Sequence, residues 1–384
     1  MSLTGRTNRR SLIAIGLIGI TPVIAACGTP SAASTVVPAG TPSASAPAVS
    51  GSSAQGAGSS SAGTAGAVPL VVYSAQGYDS AMTKAFQDAT GIPVKLVDDS
   101  TGPLLTKVAA EKNNPTWNVL WVDGDTAFAS LDQQGQLAPY TPKATFTPAG
   151  AELQPKDHSF VSVSTTVMPG IIYNAARTTS VPASWQDLLG SAYQGQVGMN
   201  DPSQSGPTYP FVAGMMNELG GQASGEAAGK AYFSKLKANG LKVFATNGDT
   251  LHALETGQIN YGLIQSSAIA GELLKVKPTA QFQPKAVYLP KATLLPGVIG
   301  IDKANSPQVM AEAQRFVDFV LSQAGQKVML TGDPQGDSNF WPVVSGVKAN
   351  SNLGALPDTQ RIDPYFWGPK EGEINSWFDQ SIKQ

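Results

Sequence analysis

The chain has a single cysteine, Cys27, and only two histidines, His158 and His252, in 384 residues. One thiol cannot close an intramolecular disulfide. No G-x-S-x-G elbow, no H-E-x-x-H pair and no glycine-rich phosphate loop ending in Lys-Ser or Lys-Thr occurs, so the familiar hydrolase, metalloprotease and nucleotide-binding signatures are absent. That weakens the case for an enzyme without excluding one. Arginine is scarce too: beyond Arg6, Arg9 and Arg10 only Arg177, Arg315 and Arg361 remain. No arginine cluster is available to grip a polyanion. Leaving out the three early arginines, 22 basic residues face 27 acidic ones, a net charge of about −5 that does not suggest a nucleic-acid partner.

What is present begins with a basic head and a run without charge, Ser11 to Ala26, "SLIAIGLIGITPVIAA". At 16 residues it falls short of the roughly 20 needed to cross a bilayer, and Pro22 would break a helix near its end. It reads as an export signal over residues 1–26. Its last residues, Ile24-Ala25-Ala26-Cys27, resemble the lipobox of bacterial lipoproteins, which implies lipidation at Cys27 and export to the outer face of the cell membrane or the periplasm. The start "NRRSLIA" also resembles a twin-arginine signal faintly, and the export route stays open. Residues 28–67 are almost wholly Ser, Ala, Gly, Pro, Thr and Val, with neither charge nor aromatic ring. Such a segment buries too little apolar area to order itself, and reads as a flexible tether with a reach of roughly 35 Å.

The body, from Val68 to Gln384, is large enough for two domains. "PLVVYSAQG" reads as a strand ending in a turn, "YDSAMTKAFQDATG" as a helix with Met82 and Phe86 on one face, and "IPVKLVDD" as a second strand. "STGPLLTKVAAEKNN" follows as a helix with Ser100 or Thr101 as N-cap, then "WNVLWVDG" as a third strand. This alternation predicts an open α/β sheet with ligands beyond the carboxyl ends of its strands. In the middle, "SWQDLL" predicts a helix, and "GLKVFATNGDTLHALETGQINYGLIQSSAIAGELLK" strand, turn, helix, strand, loop, helix. The extended stretches "VSTTVMPGIIYN" and "AVYLPKATLLPGVIGI" offer two crossings between lobes. The expected division is a first lobe over 68–164 with a returning segment at about 288–340, and a second over 165–287 with the C-terminal 341–384.

The order of "VVYSAQG", "STGPLLTKVAAEKNNP", "VLWVDGD", "GQLAPY", "IIYN", "SWQDLL", "YQGQVGMNDPSQSG", "NGDTLHALETGQINYGLI" and "FVDFVLSQAGQKVM" resembles the solute-binding proteins of bacterial ABC importers, in the branch containing ferric-iron and 2-aminoethylphosphonate binders. The resemblance implies an α/β, two-lobed, hinged periplasmic-binding-protein fold of type II, with a ligand cleft between lobes. It also implies a monomer without cofactor that delivers its solute to a membrane permease and ATPase. Ferric-iron binders carry an adjacent tyrosine pair after the strand matching "INYGLI". Here Gln265, Ser266, Ser267 and Ala268 follow instead. Serine hydroxyls are poor ligands for a hard trivalent cation and good donors to an oxyanion.

The candidate ligand contacts are Ser74, Gln76 and Tyr78 after the first strand, and Ser100, Thr101 and Gly102 at a helix start whose N–H groups suit an anion. Asp123 ends the third strand and, with Asp125, either pairs with an amine or caps a helix. Ser203, Ser205, Gly206, Thr208 and Tyr209 lie in "DPSQSGPTY", and Ser266 and Ser267 in "QSSA". Tyr173 contacts ligand or packs at the crossing. "TNGD" at 246–249 reads as a cap, and Trp185 as core; turn and capping chemistry is the plainer alternative for most of these residues. The expected solute is small and polar or oxyanion-bearing, an organophosphonate such as 2-aminoethylphosphonate being favoured and ferric iron the alternative. A tethered enzyme using Asp123 or Asp201 as a base is the remaining reading, and no activating partner for either is visible.

Overall fold

A computed structural model describes residues 68–383; Cys27, the apolar run before it and the tether after it lie outside the described residues. In β1 (Leu70–Ser74) side chains alternate between two cores. Leu70 and Val72 join Met82, Phe86 and Phe316, whereas Tyr73 joins Leu104, Val108 and Phe128. A sheet buried on both faces needs helices on both, and the sequence provides them. Helix α1 (Asp79–Thr90) buries Met82 and Phe86 and stops at Gly91, whose φ of 71° is the left-handed conformation that glycine adopts without penalty. Then come β2 (Val94–Asp98), α2 (Thr101–Ala110) with Leu104 and Val108 inward, β3 (Val119–Asp123), α3 (Asp125–Gln133), the short α4 (Pro148–Glu152) and β4 (Phe160–Met168).

The chain then leaves the first sheet. The strand β5 (Gly170–Asn174) opens a second one, followed by β6 (Val197–Asn200), α5 (Thr208–Ala238), β7 (Lys242–Phe244), α6 (Asn247–Thr256), β8 (Tyr261–Ile264), α7 (Ser266–Lys275) and β9 (Pro284–Val287). The helix expected over "SWQDLL" is instead a pair of 3₁₀ turns, Trp185–Leu189 and Ser191–Tyr193, because the extended Gly190 interrupts them. Gly221 breaks α5 internally with φ 62° and ψ −157°. Strand β10 (Ala292–Ile301) returns to the first sheet, and α8 (Pro307–Leu321), α9 (Gln323–Gly332), β11 (Trp341–Pro342), β12 (Thr359–Gln360), α10 (Pro364–Trp367) and α11 (Glu371–Phe378) complete the chain.

The first sheet has the order β11-β4-β10-β3-β1-β2 with β12 beside β10, and the second β7-β6-β8-β5-β9. Both are mixed: β2, β1 and β3 are parallel and β10 runs against β3 and β4, while β7, β6 and β8 are parallel and β5 runs against β8 and β9. The two crossings travel side by side, since Met168 pairs with Thr293 in one sheet and Ile171 with Val287 in the other. The C-terminal helices touch both lobes. Trp367, Ile374 and Phe378 enter the core around Phe211 and Phe233, while the Tyr365 hydroxyl donates to Asp132 of α3 at 3.1 Å.

Candidate functional site

The carboxyl ends of β1, β2 and β3 in one lobe and of β6, β7 and β8 in the other open onto one cavity of about 190 Å³. In α/β sheets side chains leaving these ends are not needed for strand pairing and are free to meet a ligand. Ala75, Ser100 and Asp123 supply the first wall, the 204–207 loop, Thr246–Gly248 and Gln265 the second, and Asp337 the edge.

A chain of side-chain hydrogen bonds crosses between the lobes. The Tyr78 hydroxyl donates to Gln76 Oε1 at 2.8 Å, and Gln76 Nε2 donates to Asp123 Oδ1 at 3.1 Å. From the second lobe, Gln265 Nε2 donates to Asp123 Oδ2 at 2.8 Å and to Thr166 Oγ1 at 3.0 Å. Asp337 makes a parallel bridge, accepting from the Gly77 amide at 2.8 Å and from the Ser267 hydroxyl at 3.3 Å. Backbone meets backbone where the Gly102 amide donates to the Gln204 carbonyl at 3.3 Å. A β-carbon on Gly102 would stand 2.1 Å from the Ser203 carbonyl oxygen, so this approach requires glycine.

The electrostatics are lopsided. Burial raises the Asp123 carboxyl above its ordinary range, although the two glutamine amides pull it back down. Burial and the nearby charge of Asp123 push Asp337 up to about 7. Burial and the same two carboxylates lift the Tyr78 phenol well above its usual value. None of the cavity's lining residues is Lys, Arg or His. Close to the acids, α2 and α7 begin at the cavity without a side-chain cap; their first-turn N–H groups have no acceptor within their own helix, and that of Gly102 in α2 donates to the Gln204 carbonyl instead. Helix α6 begins there too. Its Thr246–Asp249 capping box occupies the amides of Thr246 and Asp249, both in the first turn, and leaves those of Asn247 and Gly248 unengaged by it.

Of the residues singled out in the sequence, Ser100, Thr101, Asp123, Ser205 and Gly206 line the cavity together. Gln76 and Tyr78 stand behind Asp123, Ser74 Oγ accepts from the Gln76 amide at 3.2 Å, Gly102 forms the lobe contact and Ser267 holds Asp337. Others point elsewhere. Ser266 Oγ accepts from the Val167 amide at 3.0 Å, and Ser203 Oγ donates to Asp379 at 2.9 Å. Thr208 is buried with its hydroxyl unpaired. Tyr173 stacks on Tyr261 inside the second core, and Tyr209 lies in that same core with its hydroxyl donating to the Trp367 carbonyl. Asp201 pairs with Lys383, and Asp125, raised to about 6 by burial against the pull of Arg361, opens α3. Trp185 is core and Thr246 a cap, as read from the sequence.

Asp337, Gln265, Gln204, Asn247 and Gly248 were not anticipated as site residues. Gln265 adjoins the serines that drew attention to "QSSA". Asp337 follows α9 in "GDPQGDSNF", where no periodicity or motif distinguishes it from a turn aspartate.

Two α/β lobes around a strand-end cleft define a periplasmic binding protein fold. The chain belongs to the bacterial extracellular solute-binding protein family, whose pattern matches residues 81–359; this is a transport component and not an enzyme. It is 26% identical over 243 residues, 63% of this chain and 68% of the relative, to a putative 2-aminoethylphosphonate-binding periplasmic protein of Salmonella paratyphi A. Iron-bound HitA from Pseudomonas aeruginosa superposes with a TM-score of 0.65 at 23% identity, covering 82% of this chain and 99% of that one. The periplasmic binding protein AfuA from Actinobacillus pleuropneumoniae, with fructose-6-phosphate bound, gives 0.66 at 21% identity, covering 82% and 98%. At these identities the two structures establish the fold alone.

Proposed function

We propose that the chain is the solute-capturing lipoprotein of an ABC importer, and that its cleft takes a small solute bearing both an ammonium and an oxyanion, 2-aminoethylphosphonate being the favoured member. The observation that carries this reading is the juxtaposition of Asp123 and Asp337 with uncapped helix starts around one cavity of about 190 Å³. An ammonium placed between the carboxylates would compensate two half-buried acids whose hydrogen-bond donors are all neutral. A phosphonate in the same cavity would take hydrogen bonds from the first-turn N–H groups of Asn247 and Gly248 in α6 and from the hydroxyls of Ser100, Thr101 and Ser205. Ferric iron fits this donor set less well. Tyr173 and Tyr209 are committed to the core, and among the described residues no group of three or more His, Cys, Asp or Glu is placed to hold a metal.

In mechanism, each bond between the lobes contributes roughly 0.5–1.5 kcal/mol net, so closure without ligand is favoured only modestly. A ligand that touches both walls adds contacts that exist only in the closed arrangement and selects it. Calorimetric titration tests the reading. The expected result is saturable binding of one 2-aminoethylphosphonate per chain and much weaker binding of ethylphosphonate, which lacks the amine. Equal affinity for the two, or binding of ferric citrate alone, would reject the assignment.

Membrane attachment through lipid on Cys27 belongs to the same proposal. Replacing the thiol, Cys27→Ser, should release the protein from the membrane fraction of the producing cell; unchanged retention would show that something else holds it there.

A further inference from the structure

Behind the lobe contact lies a second cavity of about 470 Å³, more than twice the volume of the cleft cavity. Thr101 and Gly206 line both. A β-carbon on Gly206 would lie 2.3 Å from Thr101 Oγ1, so at that point the partition is a single side chain thick. One wall comes from α2 and α3, where the apolar Leu105, Val108, Ala109, Ala127 and Leu131 alternate with the uncharged polar Thr106, Ser130 and Gln134. The other is the Pro202–Ser203 loop with the first turns of α11, which bring in Glu371 and Asn375.

Glu371 is the only charged residue in this lining. None of the hydrogen bonds or ion pairs described for this chain involves its carboxylate, in contrast to Glu226, which takes Lys230 and Lys370. Burial pushes the Glu371 carboxyl up to about 7, with no cation to counter it. Beside it, Asn375 Oδ1 is buried without a partner. A lone carboxylate sharing an uncharged cavity with Leu105 and Ala109 has the complementarity of an amine with a short alkyl body. The ammonium would supply the missing counter-charge, and the chain would cover Leu105 and Ala109, the apolar lining residues of α2 that are not already buried in the core.

We propose that this cavity is a second binding site, for a small primary alkylammonium whose charge pairs with Glu371 and whose hydrocarbon body packs on α2 and α3. Its walls come from both lobes, so an occupant holds them in the closed arrangement. By reciprocity it strengthens binding in the cleft, and a cleft ligand strengthens binding here.

The test uses the full chain, thermal unfolding at pH 8 and two probes, n-butylammonium and the neutral n-butanol. Saturating butylammonium should raise the midpoint by several degrees, and butanol should not. Measured in an Asp123→Asn background, so that the ammonium pocket of the cleft does not contribute, Glu371→Gln should abolish the shift. Ala109→Phe, which fills the cavity from an exposed position, should abolish it too and keeps the test decisive if the glutamine variant folds poorly. Asp123→Asn should retain the shift, which separates this site from the cleft whatever the cleft binds. Equal shifts with both probes, or a shift that survives Glu371→Gln or Ala109→Phe, or one lost in Asp123→Asn, would overturn the proposal.

Discussion

The two walls of the cleft differ in kind. The first lobe carries both acids, Asp123 at the end of β3 and Asp337 after α9, beside the hydroxyls of Ser100 and Thr101, whereas the second presents no charge at all: the 204–207 loop, the start of α6, and Gln265. The acids carry a standing electrostatic penalty, visible in the elevation of both carboxyls, and a cation would relieve it. The amide and hydroxyl wall carries no comparable penalty, because water can satisfy a free N–H before the ligand arrives. Affinity should therefore depend most on the acid wall, and the donor wall should set orientation. This division also explains how an oxyanion could be held in a lining without a single arginine.

Asp123→Asn should have the largest effect on that contrast. Removing one partner of a largely desolvated charge pair costs about 2–5 kcal/mol, or roughly 30-fold to several thousand-fold in affinity. The loss should appear for 2-aminoethylphosphonate and be nearly absent for ethylphosphonate, both followed by calorimetry. A loss of equal size for the two ligands would mean that the first lobe does not read the amine.

The parts of this architecture that were legible in the sequence are those written in local pattern. β1, α1, β2, α2 and β3 follow from alternating apolar runs, from Met82 and Phe86 one helical turn apart, and from Gly91 as a stop. The end of a strand pointed to Asp123, a helix start to Ser100, and the resemblance to solute-binding proteins to Ser205. Tyr209 shows where that logic fails. Its neighbours Ser205 and Gly206 line the cavity, but one turn into α5 the side chain faces the core, and loop membership alone does not reveal direction. Asp337 shows a second limit. It enters the cleft through contacts with Gly77, 260 positions earlier, and with Ser267, 70 positions earlier, and no local signal encodes such partners. Glu371 is similar, because what makes it unusual is a cavity assembled from α2, α3 and α11.

The smallest expected effect is in the pH dependence, and it cuts across the same contrast. Asp337 moves from 3.8 to about 7 on folding. Between those values the folded chain holds a proton that the unfolded chain has released, so stability falls as pH rises from about 4 to about 7 and levels off above. Glu371, also raised to about 7, adds a slope of the same sign, and Asp79, raised to about 6, a further part. The ligand-free protein should therefore unfold at a lower temperature at pH 8 than at pH 5. Affinity for an ammonium-bearing solute should change in the opposite direction, rising with pH as Asp337 ionises. Asp337→Asn keeps an acceptor for the Gly77 amide but cannot ionise, so it should flatten part of the first slope and most of the second. Should the variant keep both slopes unchanged, Asp337 would be neither the titrating group nor part of the amine's half of the cleft.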